Sequence, residues 1–256
     1  MDKKFQNFGP YIIAFAAFLW SLDALIRVTL YSLPPTIVVF WEHLLGAVIL
    51  LPLAYKYREQ IKKLTKKEWI SILIVSLFSG LLGTVLYTAA LQKVQFAQFS
   101  IVPILQQTQP LWAILFAVGL LKEKITKKFL VYAGLAIIST YFITFPNLTF
   151  NISENLNTIY AGLFALLAAM MWASSTSFSK IVLNKVNVVT ATVLRFWFAP
   201  LFALPLIFGL GQQGTIFAIN QSQWIRLFAI TFSTGMVAIL ILFRPAKNSS
   251  SRQRHC

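Results

Sequence analysis

Acidic side chains are scarce in this chain, and so are most residues on which catalysis and metal binding draw. Seven Asp and Glu stand against 22 Lys and Arg in 256 residues, with 2 His and 1 Cys. The single cysteine, Cys256, rules out an intrachain disulfide framework. There is no HExxH, no pair of cysteines and no P-loop, so metal and nucleotide chemistry have no support. No catalytic residue, metal site or cofactor is expected, and a nucleophile–base constellation for an embedded enzyme is lacking.

Charge of either sign is also sparse, at 11% of residues, whereas 58% are hydrophobic and 15% aromatic. With a mean hydropathy of +0.73, this is the composition of a polytopic membrane protein. The net charge of +15 sits in short loops between apolar runs, where it marks topology rather than a nucleic-acid surface. The expected partners are the lipid bilayer and a small-molecule substrate, with no nucleic acid; a homodimer stays open. The run from Tyr11 to Leu30 is too long for a signal-peptide core and lacks a clear small-x-small cleavage site, so it is expected to be the first permanent span.

Eight spans are expected: Tyr11 to Leu30, Thr36 to Tyr55, Trp69 to Leu91, Phe96 to Leu121, Phe129 to Phe145, Thr158 to Phe178, Val188 to Phe208 and Trp224 to Phe243. Pro34 and Pro35 separate the first two, and a loop carrying Lys56, Arg58, Lys62, Lys63, Lys66 and Lys67 follows the second. With the N-terminus inside, that loop, Lys3, Lys4, the lysines after span four, Lys180, Lys185 and the tail all face the cytoplasm. Arg27, Lys93 and Arg226 then fall outside. The orientation expected is therefore both termini cytoplasmic, in a plasma (inner) membrane.

Span four is the most informative. About 26 uncharged residues run from Phe96 to Leu121, and roughly 20 suffice to cross a bilayer. Gln106, Gln107, Thr108 and Gln109 lie about ten residues in, or ~15 Å deep. Amides at that depth are costly unless they face protein or a wet cavity. Pro110 removes a backbone donor beside them.

The two halves resemble each other at offsets of 152 to 155: Trp20 with Trp172, Glu42 with Arg195, Pro52 with Pro205, Trp69 with Trp224, Gly80 with Gly235. Five helices in the first unit make the second enter from the opposite face, as in the inverted repeats of secondary transporters. The paired repeats, the Trp on each first helix, the basic loop before TKKEW and the stretch PILQQTQPLWAILFAVGLLKEKIT resemble the EamA family of the drug/metabolite transporter superfamily. Lys122-Glu123-Lys124 occupies the place of that family's Gly-Glu-(Arg/Lys) signature, keeping the glutamate and not the glycine. The resemblance covers about residues 11 to 240 and implies a ten-helix carrier of small metabolites that works without ATP.

Against that pattern, Arg244 and Pro245 lead into a hydrophilic tail where helices nine and ten are expected. The fold expected is thus an all-α integral membrane bundle of about eight helices from an inverted five-helix repeat, the second repeat truncated at its C-terminus. A natural eight-helix form is the alternative. The units are 1–146 (first repeat), 147–157 (external loop), 158–243 (second, incomplete repeat) and 244–256 (basic cytoplasmic tail).

Candidate substrate-binding residues are Trp20, Gln106, Gln109 and Trp172, which share a depth near the midplane; Gln106 and Gln109 also share a helix face. The bland reading is that the tryptophans pack and the glutamines bridge helices. Glu42, His43 and Arg195 are ion-coupling or charge candidates, because an ionisable residue inside a span is functional by default. Glu42 either binds a proton or a cationic group, or is a satisfied structural residue. Arg195 lies ~10 Å from Glu42 along the membrane normal, which disfavours pairing; it either snorkels or attracts an anionic solute. Asp23 and Arg27, four apart, are expected to pair. The function expected is secondary transport of a small metabolite, such as an amino acid or related compound, by alternating access; the alternative is a non-transporting fragment or membrane interaction protein.

Overall fold

The computed structural model describes residues 9–94, 100–121, 127–144 and 156–233, and among these every regular element is helical. In chain order they are α1 Gly9–Val28, α2 Pro35–Ile49, α3 Leu51–Lys56, α4 Arg58–Lys62, α5 Lys66–Val75, α6 Gly83–Val94, α7 Ile101–Gln106, α8 Gln109–Leu121, α9 Lys127–Thr144, α10 Leu156–Leu183, α11 Val188–Gly209 and α12 Gln221–Ile230. A π-helical stretch, Ser76–Leu82, joins α5 to α6 into one rod over Lys66–Val94. That rod, α10 and α11 are each long and apolar enough to cross a membrane. The expected external loop 147–157 (up to residue 155), the signature Lys122-Glu123-Lys124, the end of the eighth span beyond residue 233 and the tail lie outside the described residues.

The helix ends follow from local chemistry. Pro34 and Pro35 open α2, where a missing N–H costs nothing at the first turn. Thr65 and Glu68 cap α5 reciprocally, and Asn220 and Gln223 do the same for α12. Asn187 accepts the Thr190 N–H at 2.8 Å to start α11. The single helix expected over Phe96–Leu121 is instead interrupted at Gln107–Thr108. Pro110 has no N–H to continue the ladder, and the Leu111 N–H turns back to the Thr108 carbonyl at 2.9 Å. The second expected span also breaks, at Leu50, just before Pro52.

Packing centres on the Lys66–Val94 rod. The α10 face of Ala161, Ala165, Ala168, Ala169 and Ala173 is fully buried, and α6 packs along it. Small residues at three- and four-residue spacing let two backbones approach closely. α11 crosses α2 on the other side of the rod, with the Phe196 ring pressed against Gly46. At one end, the Gln60 side chain accepts from the Asn187 N–H (2.8 Å) and the Thr190 hydroxyl (3.2 Å), so the loop of lysines meets the α10–α11 turn. At the other end, Trp41 donates to the Ile216 carbonyl at 2.8 Å and Thr36 bonds Gln212. Large apolar side chains stand exposed along α9 and elsewhere, as a lipid-facing surface requires.

A β-carbon at Gly46 would sit 2.2 Å from the Phe196 ring, whereas one at Gly209 meets nothing within 4 Å. Gly46→Ala should therefore destabilise the detergent-solubilised protein by about 1–3 kcal/mol, read as a lower Tm, with Gly209→Ala as the neutral control. An unchanged Tm in Gly46→Ala would refute the α2–α11 contact.

Candidate functional site

An arginine in the middle of an apolar bundle must find partners for its N–H groups, and Arg27 does. On α1 it grips Asp23, one turn earlier, with two parallel bonds: Nε to Oδ2 at 2.9 Å and Nη2 to Oδ1 at 2.8 Å. Its remaining arm, Nη1, reaches Glu42 of α2 at 3.0 Å and the Thr88 hydroxyl of α6 at 3.1 Å. All four residues are buried. Bidentate geometry is the strong form of this interaction, so the node ties α1, α2 and α6 together at one point. One guanidinium serves two carboxylates, which leaves one formal negative charge at Glu42.

Two residues, His43 of α2 and Arg195 of α11, continue the polar region. His43, beside Glu42, stacks on Phe196 at 4.9 Å between ring centroids and places Nδ1 3.0 Å from the Val39 carbonyl. A carbonyl oxygen accepts only, which assigns the proton to Nδ1 and leaves Nε2 as an acceptor. Arg195 projects from α11 toward Gly80 of the π-helical stretch, with Ala199 one turn on. The ion-pair partner of Glu42 is Arg27, and among the described residues no carboxylate forms an ion pair with Arg195. The Thr231 hydroxyl approaches the Glu42 carbonyl at 3.3 Å, so α12 closes over this region.

The residues expected near the midplane are distributed as follows. Trp172, on α10, donates its indole N–H to the Ser79 carbonyl at 3.1 Å and tilts against Tyr87 at 5.3 Å. Gly83 gives it room, since a β-carbon there would lie 2.7 Å from the indole. Gln106 donates to Gln109 at 3.1 Å across the break in the fourth span, while Gln107 is exposed. The helices carrying both glutamines pack on α10, as Trp172's own helix. Trp20 stands 41% exposed on α1. The structure thus gathers Trp172, Glu42, His43 and Arg195 around the Lys66–Val94 rod, sets the glutamine pair on α7 and α8, where α7 shares a core cluster with α1, α6 and α10, and leaves Trp20 at the surface.

Sequence reasoning did not anticipate the Arg27–Glu42 bond or the part of Thr88. The signal for the bond was present: Arg27 lies seven residues before Pro34 and Glu42 seven after Pro35. An antiparallel helix pair turning at those prolines brings the two to the same depth.

Removing Arg27 should strand two buried carboxylates. Arg27→Met is expected to cost about 3–5 kcal/mol of stability, whereas Glu42→Gln, which keeps an acceptor for Nη1, should cost under about 1.5 kcal/mol. Thermal unfolding in detergent measures both, and equal losses would contradict the node as described.

The comparisons with known proteins agree with this architecture. The sequence model of the EamA-like transporter family matches residues 7–145 and 159–253. A riboflavin transporter, ImpX, of Fusobacterium nucleatum subsp. nucleatum is 32% identical over 248 residues, which is 95% of this chain and 81% of that protein. No solved structure matches. With the family matched over nearly the whole length of an apolar helical bundle, the chain belongs to the EamA-like transporter family: it is an integral membrane transporter, not an enzyme.

Proposed function

We propose that this protein is a secondary transporter that moves a small polar organic solute across the plasma (inner) membrane by alternating access. The observation that carries this reading is a set of hydrogen-bonding groups held inside an apolar bundle: the Asp23–Arg27–Glu42–Thr88 node and, between α7 and α8, the Gln106–Gln109 pair. Polar groups at such depth need a function or a partner. Riboflavin is the first solute to test, because a protein so named shares 32% identity over most of the chain. Amino acids and related compounds are the second class.

In this reading Trp172, Gln106, Gln109 and Trp20 contact the solute in one or another state of the cycle. Aromatic faces with a few amides suit a planar or small polar molecule, and each glutamine amide keeps donor and acceptor capacity beyond the bond it already makes. Glu42, His43 and Arg195 set the charge balance that the solute meets. The chain forms eight spans in two inverted units, 1–146 and 158–243. The concentration of Lys56, Arg58, Lys62, Lys63, Lys66, Lys67, Lys180 and Lys185 at the end joined by Gln60 supports a cytoplasmic placement of that end.

Expression of the chain in a bacterium unable to make or import riboflavin should restore growth on external riboflavin. Gln106→Leu should lower uptake about ten-fold or more, with unchanged amounts in the membrane. Absence of uptake for riboflavin and amino acids alike, with normal insertion, would favour a non-transporting membrane interaction protein. Orientation has its own test: in a Cys256→Ser background, Ser222→Cys should react with a membrane-impermeant thiol reagent added to whole cells, whereas Ser222→Cys protected until lysis would reverse the topology.

A further inference from the structure

Two buried side-chain atoms in the bundle have no hydrogen-bond partner, Nε2 of His43 and Nε of Arg195. Orphaned groups of this kind are uncommon in folded proteins and point to a ligand, a water or an ion. The two side chains are neighbours beside Gly80. A β-carbon at Gly80 would lie 3.7 Å from Nε2 of His43 and 3.5 Å from Cγ of Arg195, so both side chains border the same face of that glycine. Arg195 also lines, apart from His43, a small cavity with Ser179, Ile72, Val75, Val182 and Ala191, about 20 Å³ in volume.

The chemistry of the two atoms restricts the occupant. Arg195 Nε offers a hydrogen and asks for an acceptor. His43 Nε2, with the proton fixed on Nδ1 by the Val39 carbonyl, asks for a donor. A single heavy atom that does both is a hydroxyl oxygen. Charge balance points the same way. Asp23 and Glu42 against Arg27 and Arg195 sum to zero in their ionised forms, so an anion would bring an uncompensated charge into a low-dielectric interior.

We propose that His43 Nε2 and Arg195 Nε, beside Gly80, form a binding point for a hydroxyl group of the transported solute, whose place a water takes when the solute is absent. This rests on the transporter reading above and assigns its solute to hydroxyl-bearing, uncharged molecules. His43 accepts from the hydroxyl while Arg195 donates to it, so the site reads one oxygen from two directions. A solute lacking the hydroxyl leaves both atoms unpaired, which is how such a site discriminates.

The full chain in lipid nanodiscs, titrated with riboflavin and with lumiflavin by flavin fluorescence, tests this. Lumiflavin keeps the flavin ring and lacks the polyhydroxyl chain. His43→Phe keeps the ring stacked on Phe196 and removes the acceptor; Arg195→Lys keeps the charge and removes the planar N–H. Each should weaken riboflavin binding about ten-fold and change lumiflavin binding by less than about two-fold. Equal weakening of both flavins by either well-folded variant, or no change in either flavin, would overturn the assignment and leave water as the occupant. Failure of the unmodified chain to bind either flavin also overturns it, while uptake of another solute by cells expressing the chain would keep the transporter reading intact.

Discussion

A guanidinium taken out of water is tolerable only when nearly all of its hydrogens are bonded and its charge is answered. Arg27 meets both conditions by drawing one carboxylate from its own helix, one from the next and a hydroxyl from the third. Desolvating these groups costs several kcal/mol each, which good geometry roughly offsets. What the arrangement supplies is therefore registry more than stability: slide α1, α2 or α6 along its axis by one residue, about 1.5 Å, and a bond is lost. The depth at which His43 meets Gly80 and Arg195 is fixed in turn, because His43 follows Glu42 in the chain.

The Lys66–Val94 rod carries the other half of the arrangement. A π-helical stretch at Ser76–Leu82 frees a backbone carbonyl, and Ser79 uses it to accept both the Trp172 indole and, at 3.0 Å, the Thr84 hydroxyl. Such distortions recur at functional sites because they release main-chain groups for new partners. Gly80 and Gly83 lie in or beside it, one against α11 and the other against Trp172. Polar contacts that would be impossible on a regular apolar helix thus become available at its centre.

Much of the helical order was legible from apolar runs and prolines. Val188 opens α11 where a run follows Asn187, and Pro35 opens α2. The Asp23–Arg27 pair was legible as well, since spacing alone places it on one face. What sequence could not supply was contact between helices: the choice of Glu42's partner depends on how two rods face each other, and hydrophobic periodicity is silent on that in chains apolar all round. The same holds for Gly46, whose closeness to Phe196 is a property of a crossing 150 residues apart in the chain. The break at Gln107–Thr108 was foreshadowed by Pro110, but its sharpness comes from Thr108 capping backward, its hydroxyl donating to the Leu105 carbonyl at 2.7 Å.

Near the Val94 end of the Lys66–Val94 rod, the Gln92 amide donates to the Leu33 carbonyl at 2.8 Å, inside the turn between α1 and α2. Thr88 already holds Arg27 one turn below. Two attachments along one rod resist pivoting about either, so the α1–α2 hairpin and α6 behave as a single lever. Displacement of that lever carries Glu42 and His43 with it, whereas Arg195 and Trp172 belong to helices outside it. The glycines of the π-helical stretch stand at the boundary between those two groups of helices.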